Sequence, residues 1–276
     1  YEQLEAGVAV RLPAKTSSLQ EWSRRLREYG GGAAVRGEVA YWEAEGGGVG
    51  RLPVDHEERD NRLAQVETVG RSLSVEQTRA LLQEVPAAYG TQINEVLLTG
   101  LVLAFSGWSG AERLLLDLEG HGREEVLEGV EVTRTVGWFT SFYPVCLEGG
   151  SGEEIGVVLK RVKEKLRGVP GRGLGYLLLK YERGELGAGL AAAEVSFNYL
   201  GQFDQALAGS GGSESRFVVA GERKGNGRSE RGERTHLIEV NGGVAGGQLH
   251  LAWDYSRGVH RRETIEELAR RYEQAL

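Results

Sequence analysis

The chain contains no methionine, not even at position 1, and only one cysteine, Cys146. A single thiol excludes an intramolecular disulfide framework and a thiolate zinc site, and it suits a reducing cytoplasm, the expected location. No signal-peptide pattern opens the sequence. The most apolar run, INEVLLTGLVLAFSGW (93–108), is too short and too polar at its start to span a bilayer, so a buried helix is expected there and no membrane partner. A basic surplus is missing as well. The formal net charge is −7, which leaves no broad surface to neutralise phosphates and argues against a nucleic-acid partner. Arginine-rich pieces such as RRLRE (24–28) and RKGNGRSERGER (223–234) have acids interleaved and read as solvated faces.

Several chemical signatures are also absent. There is no G-x-x-x-x-G-K-[ST] phosphate loop and no G-x-S-x-G nucleophile elbow. GRGLGY (171–176) resembles a dinucleotide glycine pattern, but its third glycine comes too early and no strand clearly precedes it. The five histidines, at 56, 121, 236, 250 and 260, show no paired metal-ligand spacing with carboxylates, so no metal is expected. The first residues, YEQLEAG, read like the tail of a helix, and with no methionine at position 1 the expectation is a fragment, or a boundary cut inside a domain.

What is present fits an ordinary globular protein: 276 residues, 40% hydrophobic and 26% charged, enough for one large domain or two modest ones. TSSLQEWSRRLREYG (16–30) carries a capping box, Ser18 with Glu21, and places Leu19, Trp22, Leu26 and Tyr29 on one helical face. Further helices are expected over GEVAYWEAE (37–45), after Ser74 with Gln77 as box partner, from Thr91 through the apolar run, and over 151–168, where Ile155, Val158, Leu159, Val162 and Leu166 form a stripe. A glycine-rich entry at PGRGLGY (170–176) and an amphipathic segment at 261–276 complete the set. Strands are expected at VETVGRSLS (66–74), ERLLLDLE (112–119), the aromatic RTVGWFTSFYPV (134–145) and AEVSFNYLGQFD (193–204). Residues 206–234 read as mobile loops around RFVVA, and 236–256 as a hairpin whose turn is Asn241, Gly242 and Gly243. Helices and strands mix without a regular βαβ period or an internal repeat, so the economical architecture is α/β, with helices against a largely mixed sheet.

The chemistry concentrates at EGHGRE (119–124). Alternation through LLLDLEG puts Leu114, Leu116 and Leu118 on one face of a strand and Leu115, Asp117 and Glu119 on the other. Glu119 then stands at a strand end beside a second acid, where like charge and partial burial raise a carboxylate's pKa toward a range useful for proton transfer. Gly120 and Gly122 let backbone or substrate come close. The residues alone leave a second reading open, a Gly-His-Gly turn with water-facing charges and His121 as a turn or core histidine. Asn198 and Tyr199, in one strand, point to opposite faces, so at most one faces a substrate channel unless a bulge intervenes. Trp138 and Phe139 read as core or channel wall, and Gly173 and Gly175 as glycines that permit close packing.

Four segments, EGHGRE, RTVGWFTSFYPV, PGRGLGY and FNYLGQFD, resemble in order and spacing the C-terminal motifs of epimerization domains of nonribosomal peptide synthetases, and the resemblance covers essentially the whole chain. It implies a chloramphenicol-acetyltransferase-like α/β sandwich, of which residues 1–60 would end the N-terminal subdomain and residues 61–276 would form the C-terminal one. It also implies a cofactor-independent epimerase within an assembly line for secondary metabolites, antibiotics among them. The substrate would be an L-aminoacyl or peptidyl thioester on the phosphopantetheine arm of a peptidyl carrier (thiolation) domain, with adjoining synthetase modules as the other partners. Glu119 would be a catalytic acid/base, with His121, Arg123, Trp138, Asn198 and Tyr199 as channel or supporting residues. Arg123 would pair with the aspartate of an H-H-x-x-x-D-G motif. That catalytic motif does not occur in this sequence. In the family it would lie shortly before YEQLEAG, so the isolated chain is expected to be inactive. Two rivals stand beside this reading: a condensation domain forming peptide bonds between carrier-bound substrates, and a non-catalytic module that contacts carrier domains.

Overall fold

The computed structural model describes residues 2–187, 189–202 and 227–276. The expected strand at 216–220 and the end of the FNYLGQFD segment lie outside the described residues. A six-stranded mixed sheet organises the rest, in the order β1-β6-β5-β4-β2-β3. The strands are β1 (Val66–Ser72), β2 (Arg113–Gly120), β3 (Ser141–Glu148), β4 (Val195–Gln202), β5 (Ile238–Ala245) and β6 (Gln248–Ser256). The central pairs β2–β4 and β4–β5 are parallel, and the outer pairs are antiparallel.

The helices that build the core and frame the strand ends include α1 (Leu19–Gly30), α2 (Val39–Ala44), α3 (Ile93–Ser109), α4 (Ile155–Arg167) and α5 (Arg262–Ala275). Helix α3 is apolar nearly all round because it is buried nearly all round. Its Leu97, Leu98, Leu101 and Phe105 meet Leu116, Val145, Val195, Phe197, Val240 and Trp253 of the sheet, with Val158 and Val162 of α4 and Leu268 and Tyr272 of α5 on its flanks. The alternation read in β2 holds. Leu114, Leu116 and Leu118 enter this core, while Leu115 packs on the other side with Cys146 and Ala193.

Caps follow the local sequence with two adjustments. Ser74 and Gln77 form the full box. Ser18 accepts from the Glu21 amide at 3.0 Å, but the Glu21 carboxylate turns outward to Arg24 instead of back to the cap. The helix expected to open at Thr91 is capped by Gln92, whose box partner is Glu95. The amide of Gln92 donates to Glu95 Oε2 at 2.8 Å.

Two strand assignments are corrected. The aromatic segment is extended only from Ser141 onward, and residues 121–140 form a loop with its own internal bonding. The turn of the β5–β6 hairpin is Gly246–Gly247, with φ of +59° and +73°, and Asn241, Gly242 and Gly243 run on within β5 opposite Ala252, Leu251 and His250. A two-residue turn with both residues left-handed matches the twist of the flanking strands, and glycine adopts it without steric cost.

At the sheet edge, the Glu45 carboxylate accepts from the amide of Cys146 and pairs with Lys165 at 2.7 Å. This covers one donor of an otherwise open strand. Among the described residues, no helix is long and apolar enough to cross a membrane. No group of three or more His, Cys, Asp or Glu among them is placed to hold a metal ion.

Candidate active site

Parallel pairing brings the C-terminal ends of β2 and β4 side by side, with Leu118 opposite Phe197. The next position along places Glu119 beside Asn198, on the sheet face away from α3. There the Asn198 amide donates to Glu119 Oε2 at 3.1 Å. Tyr199, one residue on, turns to the helical face, packs against the core and has its hydroxyl buried with no hydrogen-bond partner among the described residues. Tyr199 stands in register with Gly242 of β5.

The electrostatics single out Glu119. Glu119 is exposed at its surface, yet its pKa is raised, first by desolvation from the surrounding protein and then by the like charge of Glu239, while His236 acts in the opposite direction. The neighbouring acids each have a basic partner: Asp117 lies 2.8 Å from His236 Nε2, and Glu239 lies 3.2 Å from the guanidinium of Arg234. Among the described residues no cation lies within ion-pair distance of Glu119, so an amide rather than a charge holds it. A carboxylate in this setting is more basic than one in water, as proton abstraction near neutral pH requires.

Around it the loop 121–140 is built on Arg123. The guanidinium donates to the carbonyls of Val132 and Thr135, the latter at 2.9 Å, and lies 4.1 Å over the ring of Phe139. Gly122, at φ +65°, is the one residue type that fits: a Cβ there would stand 1.5 Å from the Phe139 carbonyl oxygen. Its conformational freedom therefore serves a backbone crossing. His121 accepts from the Arg123 amide through Nδ1 at 3.0 Å and faces Glu124 through Nε2 at 3.3 Å, an arrangement proper to a tight turn. Phe139 is buried against Trp22 in edge-to-face contact at 4.9 Å. Trp138 is 80% exposed, so the expectation that it would be core is corrected. Alternation along a loop carries no rule about burial.

A cleft of about 430 Å³ opens at these strand ends, bordered by Glu119, Gly120, His121, Glu124, Tyr143 and Tyr199 on the sheet side and by Glu95, Arg167 and Arg172 on the other. The glycines of PGRGLGY close one end through packing. A Cβ on Gly173 would stand 1.9 Å from Tyr143 Cδ1, and one on Gly175 would stand 2.3 Å from Glu38 Oε2. Arg172, with φ +50°, projects from this turn to Glu124 at 3.5 Å. Glu239, His236, Glu124 and Arg172 escape a reading of the sequence. Only three-dimensional proximity connects them to Glu119, although Glu124 lies within the same motif.

Comparison with known proteins places the molecule. The whole chain, residues 1–276, matches the Condensation domain family. It is 46% identical over 273 residues to chondramide synthase of Chondromyces crocatus, covering 97% of this chain and 7% of that protein. It is 38% identical over 287 residues to tyrocidine synthase 1 of Brevibacillus parabrevis, covering 100% of this chain and 26% of that one. The chain thus spans a small part of the curated relatives it matches. The crystal structure of the epimerization domain from the third module of tyrocidine synthetase B superposes with a TM-score of 0.87 at 34% identity, over 99% of this chain and 61% of that one. The six-stranded mixed α/β architecture is the chloramphenicol-acetyltransferase-like fold of these neighbours, as expected from the sequence.

Proposed function

The chain belongs to the condensation-domain family of nonribosomal peptide synthetases, and on that premise we propose that it forms the Glu119-bearing part of an epimerization domain. The reaction is inversion of an L-aminoacyl or peptidyl thioester, presented on the phosphopantetheine arm of a peptidyl carrier domain by adjoining synthetase modules. Glu119 exchanges the α-proton on one face of the substrate carbon. The thioester oxygen carries the charge of the enolate, and the proton returns from the opposite face, where the H-H-x-x-x-D-G histidine serves as partner or as enolate stabiliser. That motif is absent from this sequence, so the chain by itself has half of the acid/base machinery and is inactive alone.

The observation that carries this reading is a strand-end carboxylate with no cation of its own among the described residues, held by an amide and raised in pKa by desolvation and like charge. The likeness to an epimerization domain at 34% identity supports it. In the remaining roles, Asn198 holds Glu119, Arg123 and His121 shape the turn, Tyr199 lines the cleft, and the phosphopantetheine comes with the carrier rather than as a bound cofactor. The pairing of Arg123 with the motif's aspartate remains part of the proposal.

The test is α-proton washout in deuterated solvent, using the full-length synthetase with its carrier loaded with an L-aminoacyl group. Deuterium at the α-carbon, lost on Glu119→Gln, is the expected result. Peptide-bond formation without washout would assign the condensation reaction instead, and neither activity would leave a carrier-binding module.

A further inference from the structure

Beneath Glu119 the open face of the sheet holds a buried pair that the proposed reaction does not use. His236 stands at the entry to β5 and is only 6% exposed. It reaches across β4 to β2, where its Nε2 lies 2.8 Å from Asp117 Oδ2. The strand it crosses carries Ser196 in register with Asp117, a side chain small enough to let the imidazole pass. Nδ1 is 3.0 Å from Thr235 Oγ1, so both ring nitrogens are engaged and the ring orientation is set. The imidazole also packs at 5.9 Å on Phe142, the residue directly opposite Glu119 in the β2–β3 ladder. Asp117 is one pleat away from Glu119 on the same face.

We infer that His236, clamped by Asp117, is a positioning residue for Glu119: it braces the strand end through Asp117 and Phe142 and sets an imidazole in the corner that Glu119 shares. The inference rests on the epimerase reading.

Among the described residues, Asp117 and Glu119 of β2 and Glu239 of β5 share this corner with His236 and Arg234 from the segment before β5 and with Lys180 from the helical segment Leu178–Arg183. Arg234 is committed to Glu239 and to the carbonyls of Leu237 and Asp254, and Lys180 is bonded to the Tyr176 hydroxyl at 3.1 Å. When protonated, His236 lowers the Glu119 pKa and so opposes Glu239. Asp117 acts on Glu119 through His236, by holding the imidazole in place.

The experiment is the pH–rate profile of α-proton washout by the full-length synthetase, each variant scaled to its own maximum. His236→Gln moves the acid limb upward by about one pH unit, the scale expected for removing a nearby opposite charge. His236→Asn moves it in the same direction and carries the test where His236→Gln fails to fold. A merely structural role lowers the rate without moving the limb, so profiles that coincide with wild type in both variants overturn the inference while leaving the epimerase reading intact. Washout retained by Glu119→Gln overturns the underlying reading whatever the two variants do.

Discussion

Asn198 on β4 donates its side-chain amide to Glu119 on β2 over 3.1 Å, tying together two strands that are parallel neighbours but 79 residues apart in the chain. Replacing this donor with an acid of the same shape tests the bond directly. Asn198→Asp sets a like charge against Glu119 in a partly desolvated site and raises its pKa further. At pH 7 washout by the full-length synthetase falls at least about tenfold, consistent with the loss of a hydrogen bond to a charged group. The thermal midpoint changes little because Asn198 is on the open face. Unchanged washout would place Glu119 outside the proton-transfer step.

Gly122 governs the loop 121–140. With φ at +65° and a Cβ position 1.5 Å from the Phe139 carbonyl, Gly122→Ala cannot keep the crossing of the two chain segments. The expected cost is at least about 2 kcal/mol from the backbone conformation and the clash together. Limited proteolysis reads it as new cleavage within residues 121–140, a result that Gly129→Ala does not reproduce. Gly129 is also left-handed, at φ +74°, but a Cβ there meets nothing within 4 Å.

Much of this architecture is visible in the chain before folding. The alternation of LLLDLEG puts Leu116 and Glu119 on opposite faces of the strand, and Ser74 with Gln77 announces a helix start, because both signals are local. Trp138 shows where local reading stops. Its aromatic neighbours suggested a strand, but Arg123 draws the carbonyls of Val132 and Thr135 into a loop and leaves the indole 80% exposed. The hairpin turn was misplaced for a related reason: two glycine-rich stretches compete in NGGVAGG, and the choice falls on the one that lets Val240 and Val244 both stay buried against the core. The Asp117–His236 pair is illegible in sequence altogether, since 119 residues separate its members.

His260 predicts a pH dependence of stability. The imidazole is fully buried, neither nitrogen has a hydrogen-bond partner among the described residues, and burial pushes its pKa from 6.5 down to about 4. The folded state therefore holds a neutral ring that the unfolded chain protonates more readily. The stabilisation is full above pH 6.5 and is lost as pH falls toward 4, by about 3 kcal/mol in all. Urea midpoints measured at pH 7 and pH 5 will show the decline, and His260→Phe will flatten it. Equal slopes in wild type and variant would exclude His260 as the source.

Glu38 predicts the opposite slope. Its carboxylate is buried beneath PGRGLGY, accepts from the Trp42 indole at 3.1 Å, and would collide with any side chain at Gly175. No cation pairs with it among the described residues, and burial raises its pKa, with the Trp42 bond a smaller opposing effect. A raised carboxylate pKa means that the folded state holds the proton more tightly than the unfolded chain does. Its contribution is fully present below the unfolded pKa and is lost as pH rises through the folded value. Glu38→Gln retains an oxygen for the Trp42 indole and removes the ionisation. Relative to wild type, the variant gains stability as pH rises from 4 to 7, whereas His260→Phe gains as pH falls over the same interval. A Glu38→Gln stability difference that does not vary between pH 4 and pH 7 would mean that the carboxyl is not desolvated in the fold.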